Sequence, residues 1–195
     1  LLVGCGGPQH SNTYDIDGTT VGSAGTETNG FQLLKGATVV MQNGTLTSDK
    51  AIILIQKYCE LTLDDMVLDG TQTNYYVLSN NNATTTITGN TQIIAAENGV
   101  AFDVYYWPNN GYGSVSVVFD ENFTGSVAGR VEYTNDGTAV DNWYTYASLE
   151  IDGNGTFDIE LSVQAVSGVE ASAATINIAG GTFVNPVAGE YIADG

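Results

Sequence analysis

The acidic pairs are the first residues whose type and spacing could do chemistry. Asp64-Asp65, Asp69 and Asp120-Glu121 are suited to glycoside hydrolysis, in which one carboxyl protonates the leaving oxygen and another attacks or activates water. Adjacent residues on a strand point to opposite faces. The Asp64-Asp65 pair also falls where Asn43-Gly44 and Gly89-Asn90 stand in matching stretches, so turn chemistry is the preferred reading. Elimination from an acidic polysaccharide would instead need a Lys or Arg base; Lys35, Lys50, Lys57 and Arg130 are the four basic residues, and they show no convergent phase. Asp152, Asn154 and Asp158 set oxygen ligands at even spacings and form a candidate calcium loop, with Phe157 where an EF-hand requires Gly. His10, alone of its kind, and the distant Cys5 and Cys59 assemble neither a zinc site nor a nucleophilic triad. No cofactor other than calcium is expected.

A different chemistry is offered by the aromatics. Tyr105-Tyr106-Trp107 with Tyr112, and Trp143-Tyr144 with Tyr146, hold both tryptophans of the chain. Rings edged by Asn and Asp are what a sugar-binding surface uses, because ring faces stack on pyranoses while amides and carboxylates bond their hydroxyls. The competing reading is that the rings cover apolar surface where loops bulge.

Composition narrows the partners. Four basic residues against 22 acidic ones give a net charge of −18, which excludes nucleic acid, since phosphate neutralisation needs clustered Lys and Arg. Anionic membranes are excluded on the same ground, and no apolar run approaches the roughly 18 residues of a spanning helix. Leu2-Val3-Gly4-Cys5 has the form of a lipobox, but it lacks the preceding charged and apolar regions of a signal, so lipidation is not expected. Cys5 and Cys59 allow one bridge, or stay as free thiols.

The elements that must position these residues are short strands. Residues 1–36 are rich in Gly, Ser, Thr and Asn and read as an N-terminal arm or cap; residues 37–195 carry period-two alternation throughout and read as the remainder of a single domain. Met41, Leu63, Ile87, Phe119, Ile151 and Ile178 each end a strand and precede a polar or Gly-rich turn. A second apolar residue follows each turn: Leu46, Leu68, Ile93, Phe123, Phe157 and Phe183. The strand ends are spaced by 22, 24, 32, 32 and 27 residues, a period that belongs to a stacked repeat. A rung of 22 to 24 residues holds three short strands and three corners, so an all-β parallel β-helix of about six rungs is expected. The two long rungs place the aromatic sets in a common phase, and hence on one flank.

The closing stretch, Thr175-Ile-Asn-Ile-Ala-Gly-Gly-Thr-Phe183 followed by Glu190-Tyr-Ile-Ala-Asp-Gly195, resembles the last rung of right-handed β-helix domains in large surface proteins of gut bacteria. Those domains are similar to the pectin-lyase-like superfamily. The resemblance implies a right-handed solenoid and an extracellular, cell-surface setting; it implies little about reaction, because such folds host many functions. The expected function is a noncatalytic surface module, adhesin-like or a stalk, that binds glycans through Tyr105, Tyr106, Trp107, Tyr112, Trp143, Tyr144 and Tyr146. A polysaccharide hydrolase or lyase of the same fold and a phage or virion fibre segment are the alternatives. Its partners would be glycans or host or other cell-surface proteins, with no nucleic acid and no membrane insertion.

Overall fold

The computed structural model describes residues 2–3, 10–15, 20–23, 29–33, 36–73, 75–108, 113–137, 141–164 and 173–194. Within them the strands run β1 (Leu2–Val3), β2 (His10–Asp15), β3 (Thr20–Ser23), β4 (Asn29–Leu33), β5 (Ala37–Ser48), β6 (Ala51–Gln56), β7 (Glu60–Gly70), β8 (Tyr76–Asn81) and β9 (Thr84–Thr88). They continue as β10 (Gln92–Ala95), β11 (Val100–Tyr106), β12 (Val115–Phe119), β13 (Ser126–Asn135), β14 (Ala147–Ile151), β15 (Thr156–Val163), β16 (Ile176–Ile178) and β17 (Thr182–Phe183). All the pairings are parallel, and they form three ladders, which is the architecture of a β-solenoid.

The first ladder stacks β2, the first half of β5, the first half of β7, β9, β12, β14 and β16. Met41, Leu63, Ile87, Phe119, Ile151 and Ile178 lie in one column of this ladder, each in register with the next, so the expected repeat is the observed one. Those six stacked positions enclose about five turns. The second ladder carries a parallel column, Leu46, Leu68, Ile93, Val127, Phe157 and Phe183. The third ladder stacks β1, β4, β6, β8, β11 and the second halves of β13 and β15, with Ile53, Leu78, Phe102, Val131 and Leu161 in line. The segment expected as an arm or cap contributes β1 to β4, with β2 and β3 paired on β5 and β4 on β6.

The long strands bend where the sequence supplies a residue suited to positive φ. β5 alternates buried and half-buried positions up to Gln42, exposes Asn43, then resumes with the opposite parity. Asn43 (φ 56), Asp65 (φ 51) and Gly89 (φ 60) occupy equivalent positions at this corner of successive coils. Asn, Asp and Gly are the residues that tolerate the left-handed region.

One expected position moves. Phe123 is fully buried but does not enter the second ladder; Val127 takes that place, in register with Ile93 and Phe157. The corner here is longer, and the Phe123 ring fills it edge-on against Phe119, with centroids 4.9 Å apart. Gly125 then has to pass flat against the Thr91 backbone, where a Cβ has no room. Cys59 is a buried free thiol whose proton affinity is raised by burial; Cys5 lies outside the described residues.

Candidate functional site: the corner after the third ladder

The corner leading from the third ladder back to the first changes along the molecule. In one coil it is the dipeptide Lys57-Tyr58, both left-handed (φ 56 and 52), and in the next it is Asn82 (φ 52). In the following two coils the chain makes long excursions, between Tyr106 and Val115 and between Asn135 and Ala147. Backbone bonds hold the register round the turn: Lys57 N–H to Asn81 O (3.1 Å), Tyr58 N–H to Asn82 O (2.8 Å), Asn82 N–H to Tyr105 O (3.3 Å) and Asp136 N–H to Tyr106 O (3.2 Å).

Asn82 closes the neck of the first excursion. Its Oδ1 accepts from Trp107 N–H at 2.7 Å, and its Nδ2 donates to Gly113 O at 2.6 Å. The side chain is 1% exposed and spends both ends of its amide on the two sides of the loop. Asn at this corner thus supplies both the left-handed backbone and the clamp.

The aromatic residues divide between surface and core. Tyr106 and Tyr146 stack, with ring centroids 5.3 Å apart and planes 13° from parallel; Tyr106 is buried and Tyr146 is 41% exposed. Tyr105 and Trp107 are half-buried beside them. Burial raises the phenol proton affinity of Tyr105, with Asp136 and Asp103 adding to it, and that of Tyr106, with Tyr146 and Asp136 adding to it. Both phenols therefore remain neutral at physiological pH.

Trp143 departs from the expected surface position. It is 1% exposed and packs on Tyr133 at 5.2 Å, because the 3-10 turn Trp143–Tyr146 after left-handed Asn142 (φ 65) sends its first side chain inward. Tyr144 is half-buried, and its carbonyl accepts from Thr175 Oγ1 (2.9 Å) and Tyr133 Oη (3.1 Å). Tyr112 lies outside the described residues. One exposed ring at this corner was absent from the sequence-derived set: Tyr58, 47% exposed. Its position after Lys57 in a short rung gave no length signal.

A polar cluster lies next to the aromatic corner, on the third ladder. Asp103 Oδ2 accepts from Ser79 Oγ (3.1 Å), Asp103 Oδ1 accepts from Asn80 N–H (2.5 Å), and Asp103 is in register with Glu132. Glu132 receives Tyr76 Oη at 2.9 Å, Arg130 Nε at 2.9 Å and the Arg130 terminal nitrogen at 2.8 Å. Burial, with the Glu132 charge adding to it, pushes the Asp103 carboxyl up to about 7 against the pull of its hydrogen bonds. Such a carboxyl can hold or release a proton near neutrality. Yet Asp103 is 2% exposed and Glu132 9%, so in this arrangement the pair binds its neighbours rather than a substrate. Arg130 thus holds Glu132 through two of its nitrogens.

Of the other acidic candidates, Asp65 sits at the left-handed bend within β7, whereas Asp69 and Asp158 lie in the strands β7 and β15. Burial raises the Asp64 carboxyl, with Asp65 and Asp120 adding to it, while Asp65 Oδ1 accepts from Asn90 N–H at 2.7 Å. Asp152, Asn154 and Asp158 are all exposed, and Asp158 Oδ1 takes a bond from Asn185 Nδ2 at 3.4 Å. Among the described residues no group of three or more His, Cys, Asp or Glu is arranged to hold a metal ion.

No family model, curated protein or solved structure matches the chain.

Proposed function

We propose that the chain is a noncatalytic extracellular surface module, adhesin-like or a stalk, whose aromatic corner binds glycans. The observation that carries this reading is the stacked Tyr106–Tyr146 pair, 41% exposed at Tyr146, with Tyr105 and Trp107 next to Tyr106 in the chain and Tyr58 exposed at the same corner two coils away. Flat rings held by a rigid scaffold offer a sugar its stacking surface with little ordering cost. The Asn82 clamp supports the same reading, since it holds the backbone of Trp107 and of Gly113 at this corner. The pectin-lyase-like resemblance of the closing rung supports a cell-surface setting.

A glycan array probed with the wild-type chain and with Trp107→Ala tests this. Selective binding to neutral glycans, lost by about tenfold or more in the variant, is the expected result. Absence of binding by the wild-type chain to every glycan would remove the binding claim and leave a structural spacer.

A further inference from the structure

The aromatic corner has a direction. Hydrogen bonds carry the register into the corner, from Tyr58 N–H to Asn82 O, from Trp107 N–H to the Asn82 side chain and from Asp136 N–H to Tyr106 O, so Tyr58, Asn82, Trp107 and Asp136 follow one another at this corner in four successive coils. Parallel strands lie about 4.8 Å apart, so Tyr58 and Trp107 are separated by about 10 Å along the solenoid axis. Asn82 stands between them, 1% exposed, and raises nothing above the surface there. Tyr58 is 47% exposed and Trp107 half-buried. Tyr106 precedes Trp107 in the same strand and leads to its partner Tyr146 one coil further on.

The height of one coil is comparable with the length of one pyranose unit in an extended chain. Rings two coils apart therefore meet every second sugar of a chain laid along the axis. A monosaccharide could touch one of them only. The charge selects further: a net −18, with Asp136 next in the line, repels a polyuronate and leaves an uncharged chain as the favourable occupant.

We infer that the ligand is an extended, uncharged glycan chain lying along the solenoid axis, with Tyr58 and Trp107 on alternate sugar units and the Tyr106–Tyr146 pair beside it. This rests on the glycan-binding reading above and adds the length, direction and charge class of the ligand.

Calorimetric titration with β-1,4-linked glucose, mannose and xylose oligomers of increasing length, from the monosaccharide upward, tests it. Affinity should be unmeasurable for the monosaccharides and rise by about tenfold between the disaccharide and the trisaccharide of a bound series. Tyr58→Asn, whose side chain suits the φ of 52 at this position, should erase that rise. Tyr58→Phe should keep it. If Trp107→Ala abolishes binding while Tyr58→Asn leaves the length dependence intact, the axial chain is refuted and the glycan site stands. Tighter binding of polygalacturonate than of any neutral oligomer would refute the charge class, and binding of none would refute both readings.

Discussion

Asp103 shows how a single residue sets the conditions under which this fold is most stable. Its folded-state proton affinity is raised, chiefly by burial, to about 7, whereas an unfolded aspartate titrates near 4. The protonated carboxyl therefore favours the fold: its contribution is complete below about pH 4 and is lost as pH rises through 7. Asp103→Asn keeps the shape, an acceptor for Asn80 N–H and a donor for Ser79 Oγ. The variant should be the more stable protein at pH 8.5, by on the order of a few kcal/mol, and the two should converge toward pH 4. Urea titrations at pH 4.5, 7 and 8.5 check this, and parallel curves for the two proteins would contradict it. Glu132 acts on the same carboxyl and is itself bound by Arg130 and Tyr76, so the difference between the two proteins, rather than the wild-type profile alone, is the reading that isolates Asp103. None of this was legible in the sequence. Asp103 sits at an ordinary alternating position, and what buries it is contributed by β8 and β13, from adjacent coils. The same limit explains Trp143, whose phase marked the right corner but whose inward turn depends on the left-handed Asn142.

At the scale of elements much more was legible, because a parallel stack repeats one constraint. Apolar strand ends at Met41, Leu63, Ile87, Phe119, Ile151 and Ile178 are forced into register by burial, since a one-residue slip would turn each column outward. The second column failed only at Phe123, where a longer corner broke the assumption that the next apolar residue re-enters the ladder. That corner has become the most aromatic part of the core. Phe157 contacts Phe119 edge-on at 5.2 Å, Phe123 at 5.6 Å and Phe183 face-on at 4.9 Å. It is fully buried, while Phe183 is half-buried. Phe157→Ala should therefore cost about 3–5 kcal/mol, and Phe183→Ala clearly less, by chemical denaturation under one set of conditions. Equal losses would mean that the ring stack does not carry the stability of this part of the core.

The whole molecule is a one-dimensional object. Each coil rests on its two neighbours through three ladders, and no element reaches across the stack to tie distant coils together among the described residues. Stability in such a chain is a sum of coil and nearest-neighbour terms, so damage stays near its origin. The charge reinforces this: −18 spread over the length gives repulsion that screening weakens beyond about 10 Å at moderate salt, roughly two coils. A globular core of the same size would instead lose protection everywhere when a central ring is removed. Hydrogen exchange on Phe157→Ala should accordingly show lost amide protection in β12 to β17, with β5 to β7, three or more coils away, close to wild type. A uniform loss along all three ladders would mean that the solenoid unfolds as one cooperative unit. The aromatic corner would then owe its rigidity to the entire stack rather than to the coils that carry Tyr58, Trp107 and Tyr146.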